Sequence, residues 1–196
     1  MKRIAFRPIA LVAALLWNAF GVLDAGATSV LPLSLTQIAA GAEHIAHVRC
    51  IGNDAVPDAA VGVVTETTFV VLDRAKGAGG ATFTLRQAGG TLNGLAVRYQ
   101  TPTFRVGDEY VLFVPTASSL GLASPVGLVQ GAFSVDPSPS GKTVGNGRDF
   151  GELLVGVNPA RLPPGVASRL ALGPALRQRM DLDDFMALVR AGGALR

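Results

Sequence analysis

Residues Val61 to Arg74, VGVVTETTFVVLDR, decide the fold class. Valine and threonine dominate the run, and their branched β-carbons fit a pleated surface better than a helix, so it reads as one long, bent strand. Lys76 to Gly80 then supplies a turn, and Phe83 and Leu85 alternate with Thr82, Thr84 and Arg86 as in a half-buried strand. Together these segments predict a hairpin.

Upstream, His44 to Ile51 alternates as well, placing Ala46, Val48 and Cys50 on one face and Ile45, His47 and Arg49 on the other. Asn53 to Ala60, with Pro57, Asp54 and Asp58, reads as a loop. A short helix is expected before these strands. Ser34 and Gln37 have capping-box spacing, Leu35, Ile38, Ala39 and Ala42 recur at helical spacing, and Gly41 falls near the end.

Downstream, Gly89, Gly90, Asn93 and Gly94 mark a loop before a weaker strand through Leu95, Val97 and Tyr99. Phe104 to Glu109 reads as a turn. Tyr110 to Val114 is apolar on both faces, which predicts a central strand. Thr116 to Pro125 is expected as loop, and Leu128 to Val135 as the last strand, with Val129, Phe133 and Val135 on one face and Gly131 at a bulge or a close backbone approach. Asp136 to Gly147, rich in proline, serine and glycine, reads as surface connection.

Five or six short strands without alternating long helices predict a mainly β fold, a small antiparallel OB-like barrel or sandwich over residues 28–150. Residues 151–180, with Pro159, Pro163, Pro164 and Pro174, read as an extended, Pro/Gly-rich extension. Asp181 then caps a helix over 181–191 whose Leu182, Phe185, Met186 and Val189 form one stripe. Such a stripe is expected to pack on the domain's own core.

The runs TFVVLDRAKG (Thr68 to Gly77), FTLRQAGG (Phe83 to Gly90), FRVGDEYVLFV (Phe104 to Val114) and GLVQGAFSV (Gly127 to Val135) resemble a family of exported bacterial proteins of unknown function, over roughly Leu35 to Phe150. Their order is also similar to the OB-type barrel of netrin-like domains and tissue inhibitors of metalloproteinases. That resemblance implies an inhibitor or partner of an exported protease. Inhibitors of that kind chelate the target's zinc through a disulfide-tied N-terminal cysteine; Cys50 is the only cysteine here, so their mechanism does not carry over.

The N-terminus reads as a cleavable export signal over residues 1–27. Lys2, Arg3 and Arg7 precede an apolar run from Ile9 to Leu23, and Ala25, Gly26 and Ala27 follow, so cleavage is expected between Ala27 and Thr28. The expected location is periplasmic or extracellular, with no stable membrane span once the signal is removed. Of 17 basic and 14 acidic residues in the whole chain, 14 and 13 remain after cleavage. Near balance removes the basic footprint that nucleic-acid binding needs.

Candidate chemistry is sparse. His44 and His47 are the only histidines, and on one strand their odd separation sends them to opposite faces, which spoils a shared metal site. Cys50 shares a face with Ala46 and Val48 and reads as a small buried hydrophobe. Gly141, Lys142 and Thr143 resemble the end of a phosphate loop, but Asp136 stands where its first glycine belongs. Asp181, Asp183 and Asp184 are spaced as helix caps and lack the glycine and glutamate of a calcium loop. No catalytic, metal-ligating or cofactor-binding residue is singled out, and no cofactor is expected.

The resulting expectation is an exported, non-enzymatic binding or interaction module for a protein or small ligand. Its surfaces would be loops carrying Asp54 and Asp58, Asn93 and Gly94, and Ser118 and Ser119, together with the C-terminal helix. The rival is a hydrolase-like enzyme assembled from scattered Asp and Arg residues, which loss of turnover on substituting Asp73, Asp108 or Glu109 would favour.

Overall fold

Strand β1 (His44–Asp58) and strand β2 (Gly62–Lys76) pair antiparallel along nearly their whole length. Asp58 closes the turn between them, its Oδ1 accepting the N–H groups of Ala60 at 2.9 Å and Val61 at 3.2 Å. This is a computed structural model, and it describes residues 31–158, 160, 162–172 and 177–192. The expected export signal and its cleavage residues Ala25, Ala27 and Thr28 lie outside the described residues.

The hairpin corrects the loop expected over Asn53 to Ala60. Asn53 pairs with Thr67 and Asp54 with Glu66, so most of that segment is strand. Pairing with a Val/Thr-rich partner overrides the local turn composition, and Pro57 is tolerated because β1 has left its other neighbour by then.

Strand β3 (Thr82–Ala88) pairs with β2 as expected. The Gly89 to Gly94 segment is not wholly loop. β4 (Gly90–Leu92) and β5 (Leu95–Val97) form a small separate hairpin whose two turn residues, Asn93 and Gly94, have φ of 51° and 80°. Positive φ at both central positions is what asparagine and glycine tolerate in such turns. Among the described residues, β6 (Glu109–Val114) is central in a seven-stranded sheet of order β3-β2-β1-β6-β7-β8-β9, where β7 is Ala132–Ser138, β8 is Gly141–Gly145 and β9 is Met180–Asp181.

The remaining strands correct two further expectations. Leu128–Gly131 is a single 3-10 turn, so Val129 points outward and is 61% exposed. The strand β7 begins only at Ala132 and continues to Ser138. Gly131 does mark a close approach: a Cβ there would lie 2.5 Å from the Val126 carbonyl oxygen. The supposed surface connection over Asp136 to Gly147 holds the end of β7 and all of β8 (Gly141–Gly145), so β7 is not the last strand. β9 (Met180–Asp181) adds a short edge.

The fold is mainly β, but the expected barrel is not closed. β3 and β9 remain separate edges of one antiparallel sheet. A two-residue β9 offers little ladder for closure, and helices occupy the face that a second sheet of a sandwich would cover. Helix α1 (Leu35–Gly41) starts with the expected capping box, Ser34 and Gln37 exchanging side-chain and backbone hydrogen bonds.

Residues read as extended also contain helices α2 (Phe150–Leu153) and α3 (Pro164–Leu170). Phe150, Leu153, Leu154 and Val166 are buried there, because apolar side chains between the prolines find the sheet. Asp181 caps α4 (Leu182–Arg190) by accepting from Asp183 and Asp184 N–H groups. The expected stripe is buried: Leu182, Phe185, Met186 and Val189 join the core with Leu188.

Two cores result, one on each face. The helix side centres on Phe113, Phe133, Phe150 and Phe185, with Phe133 and Phe185 ring centroids 4.9 Å apart. The opposite side gathers Ala46, Val48, Cys50, Phe69, Leu85, Phe104, Leu112 and Val114. Phe104 supplies much of its lid, edge-on to Phe69 at 5.2 Å and to Tyr110 at 5.0 Å. Among the described residues, no helix contributes to this second cluster.

Candidate functional site

The loop-covered face leaves a groove of about 300 Å³, at the low end of the roughly 300–1,000 Å³ typical of ligand pockets. One wall is β3 with Phe83, Leu85 and Arg86; the other is the chain leaving β6, through Thr116, Gly121 and Ala123. Ala46, Leu112 and Val114 provide apolar lining from the sheet. The walls are tied together at one end by the Ala123 N–H donating to the Arg86 carbonyl at 2.9 Å. Ser118 shapes the far wall, because its hydroxyl and backbone hold Leu122 and Gly121 in a tight loop.

Three basic side chains enter this apolar setting, and their surroundings differ. Arg86 is compensated: its Nε donates to Glu66 Oε1 at 2.9 Å, and Asp58 lies 3.5 Å from its Nη2. Arg74 donates to the Gly80 carbonyl at 2.9 Å, and no carboxylate pairs with it among the described residues. His44 packs so closely on Gly77 that a Cβ there would collide with Nδ1, and that nitrogen is buried with no hydrogen-bond partner. Gly77 has φ of 83°, so glycine serves both the turn and the contact. Glu43 also lines the groove, with its residue exposed at the mouth.

The other face carries a second polar group. Glu109 accepts from His47 Nε2 at 2.8 Å, Arg49 Nη2 at 2.7 Å and Lys142 Nζ at 2.7 Å. Burial raises the cost of its charge, but hydrogen bonds from Lys142, Arg49 and His47 outweigh that cost and hold the carboxyl down to about 2. A carboxylate so occupied is a weak base and has no proton to give near neutrality. Asp73 is likewise taken up by Arg190 of α4, whereas Asp108 is exposed beside the Tyr110 hydroxyl. Burial pushes the Cys50 thiol up from its ordinary value, which disfavours the reactive thiolate.

The residues anticipated as binding loops scatter. Asp54 is exposed on β1, and Asp58 caps the hairpin turn while facing Arg86. Asn93 and Gly94 are exposed at the tip of the β4–β5 hairpin, away from the groove lining. Ser118 and Ser119 belong to the loop that walls the groove, though its lining comes from Thr116, Ala117, Gly121 and Ala123. His44 and His47 do part, one to the groove and one to Glu109. Among the described residues, no three His, Cys, Asp or Glu side chains gather as a metal site.

Sequence reading missed Arg74, Arg86, Phe83 and His44 as one constellation. Their positions span Gly-rich turns, and only the edge position of β3 brings both of its faces to the groove. No known family, curated protein or solved structure matches the chain. Among the described residues, no helix is long and apolar enough to cross a membrane.

Proposed function

We propose that this chain is an exported, non-enzymatic binding module that takes a small ligand with an apolar body into the groove between β3 and the chain following β6. The observation that carries the proposal is the groove itself, an apolar space with a few polar groups at its rim, which is the usual form of a small-molecule site. Binding is favoured over hydrolysis by the state of the acidic groups: Glu109 is saturated by three donors, and Asp73 is paired with Arg190. Asp108, the third carboxylate of the rival reading, is exposed on the surface beside the Tyr110 hydroxyl.

Octan-1-ol is a suitable neutral probe, titrated into the purified protein and followed residue by residue by NMR. Shifts concentrated at Phe83, Leu112 and Ala123 are the expected result. Shifts confined to the Asn93–Gly94 tip, or none at millimolar probe, overturn the proposal. Export has its own test: the secreted protein should begin at Thr28, and a chain that keeps Met1 in the secreted fraction refutes the expected cleavage.

A further inference from the structure

The geometry points to a specific ligand class for this groove, a monocarboxylate with an apolar tail, its carboxylate held by Arg74 and His44. The inference rests on the binding reading above and adds the head group and the orientation.

Charge distribution carries the argument. Of the two arginines lining the groove, Arg86 already faces Glu66 and Asp58, so an incoming anion there competes with two carboxylates. Arg74 faces none among the described residues; its Nη2 is anchored on the Gly80 carbonyl, and the rest of its guanidinium is left to donate. An anchored guanidinium is a preorganised fork, suited to the two oxygens of a planar carboxylate. Half-burial strengthens the pairing relative to a fully solvated arginine.

His44 adds a directed polar group. Because Nδ1 is buried against Gly77 without a partner, Nε2 is the nitrogen left to meet a ligand. A buried bare acceptor is tolerated better than a buried orphan N–H, so the ring proton belongs on Nε2, where it donates. The opposing group is Glu43, but its exposure at the mouth lets water screen it. One uncompensated cation matches one negative charge, which favours a carboxylate over a dianionic phosphate.

The same asymmetry sets direction. Arg74, His44 and Gly80 mark the polar end, whereas Leu85, Leu112 and Ala123 line the apolar part toward Arg86. The head is therefore bound beside the β2–β3 turn, and the tail lies along β3.

Calorimetric titration with four probes sharing one tail tests this: octanoate, octyl phosphate, octan-1-ol and octylammonium. Octanoate should bind about tenfold more tightly than octan-1-ol, as expected for a charged hydrogen bond of ordinary strength. Arg74→Gln should reduce that ratio to about one while octan-1-ol still binds. The ratio within one preparation does not depend on how much of the variant is folded, so a destabilised variant still reports. Equal binding of octanoate and octan-1-ol by the unaltered protein overturns the head-group assignment and leaves the groove reading standing. Tighter octylammonium binding assigns the head to Glu43 and overturns it too, and a preference for octyl phosphate replaces carboxylate by phosphate. Failure of all four probes to bind removes the groove reading itself.

Discussion

The two faces of the sheet are built from similar residues and covered differently. On one face, α1 to α4 lay Ile38, Phe150, Val166 and Phe185 over the strands, and all four are fully buried. On the other, Phe69 and Leu85 are covered by loops carrying Phe104 and Ala123, and Phe83 stays only partly buried. Helices bring regular rows of side chains that fill the space above a sheet; irregular chain must satisfy its own backbone first and leaves gaps. One face therefore holds most of the packing, and the other holds the groove.

The largest expected effect tests the packed side. Phe185 meets Phe113, Phe133 and Phe150 with ring centroids 6.3, 4.9 and 5.7 Å away, so Phe185→Ala should cost about 3–5 kcal/mol in denaturant unfolding. A cost below about 1 kcal/mol would mean that the helix-covered face does not carry the stability.

Next in size is the acid response of Glu109. Its unfolded carboxyl titrates near 4.5 and the folded one near 2, so the stabilisation is complete above about pH 4.5 and is lost as pH falls toward 2. Discounted for the exposure of Arg49 and Lys142, it amounts to roughly 2 kcal/mol. Glu109→Gln should flatten the pH dependence of stability over that window. An unchanged acid unfolding profile would contradict it.

Phe83→Ala tests the groove side. Stacked on Phe69 at 5.2 Å but only partly buried, Phe83 should cost about 1–2 kcal/mol while weakening octan-1-ol binding more than tenfold. The ratio of binding loss to stability loss should be far larger than for Phe185→Ala. Asp58→Ala removes the hairpin cap and one partner of Arg86, at about 1 kcal/mol by thermal unfolding. Ser119→Ala, on the exposed outer loop, should change stability and binding by less than about 0.5 kcal/mol.

Legibility followed the range of the interactions. Ser34 and Gln37, and Asp181 with its two following N–H donors, were readable because a cap involves residues two or three apart. The alternation of His44 to Ile51 told the faces apart correctly for the same reason. Asn53 to Asp58 misread as loop because its partner strand, not its own composition, makes it a strand. Leu128 to Gly131 misread as strand because Gly127 and Leu128, at φ of 61° and 60°, turn the chain before the ladder begins. Asn93–Gly94 is itself a local hairpin signal, since both residues accept the positive φ that a two-residue turn requires.

The amino-acid pattern alone determined the mainly β class, the bounding helices and the division of side chains between two faces, since periodicity and capping act within a few residues. Tertiary structure alone decided that the sheet stays open, and that among the described residues Arg74 meets no carboxylate while Arg86 meets two. It also set His44 against Gly77. Those outcomes depend on which distant segments meet across the strands, and on what space is left when loops rather than helices cover one face.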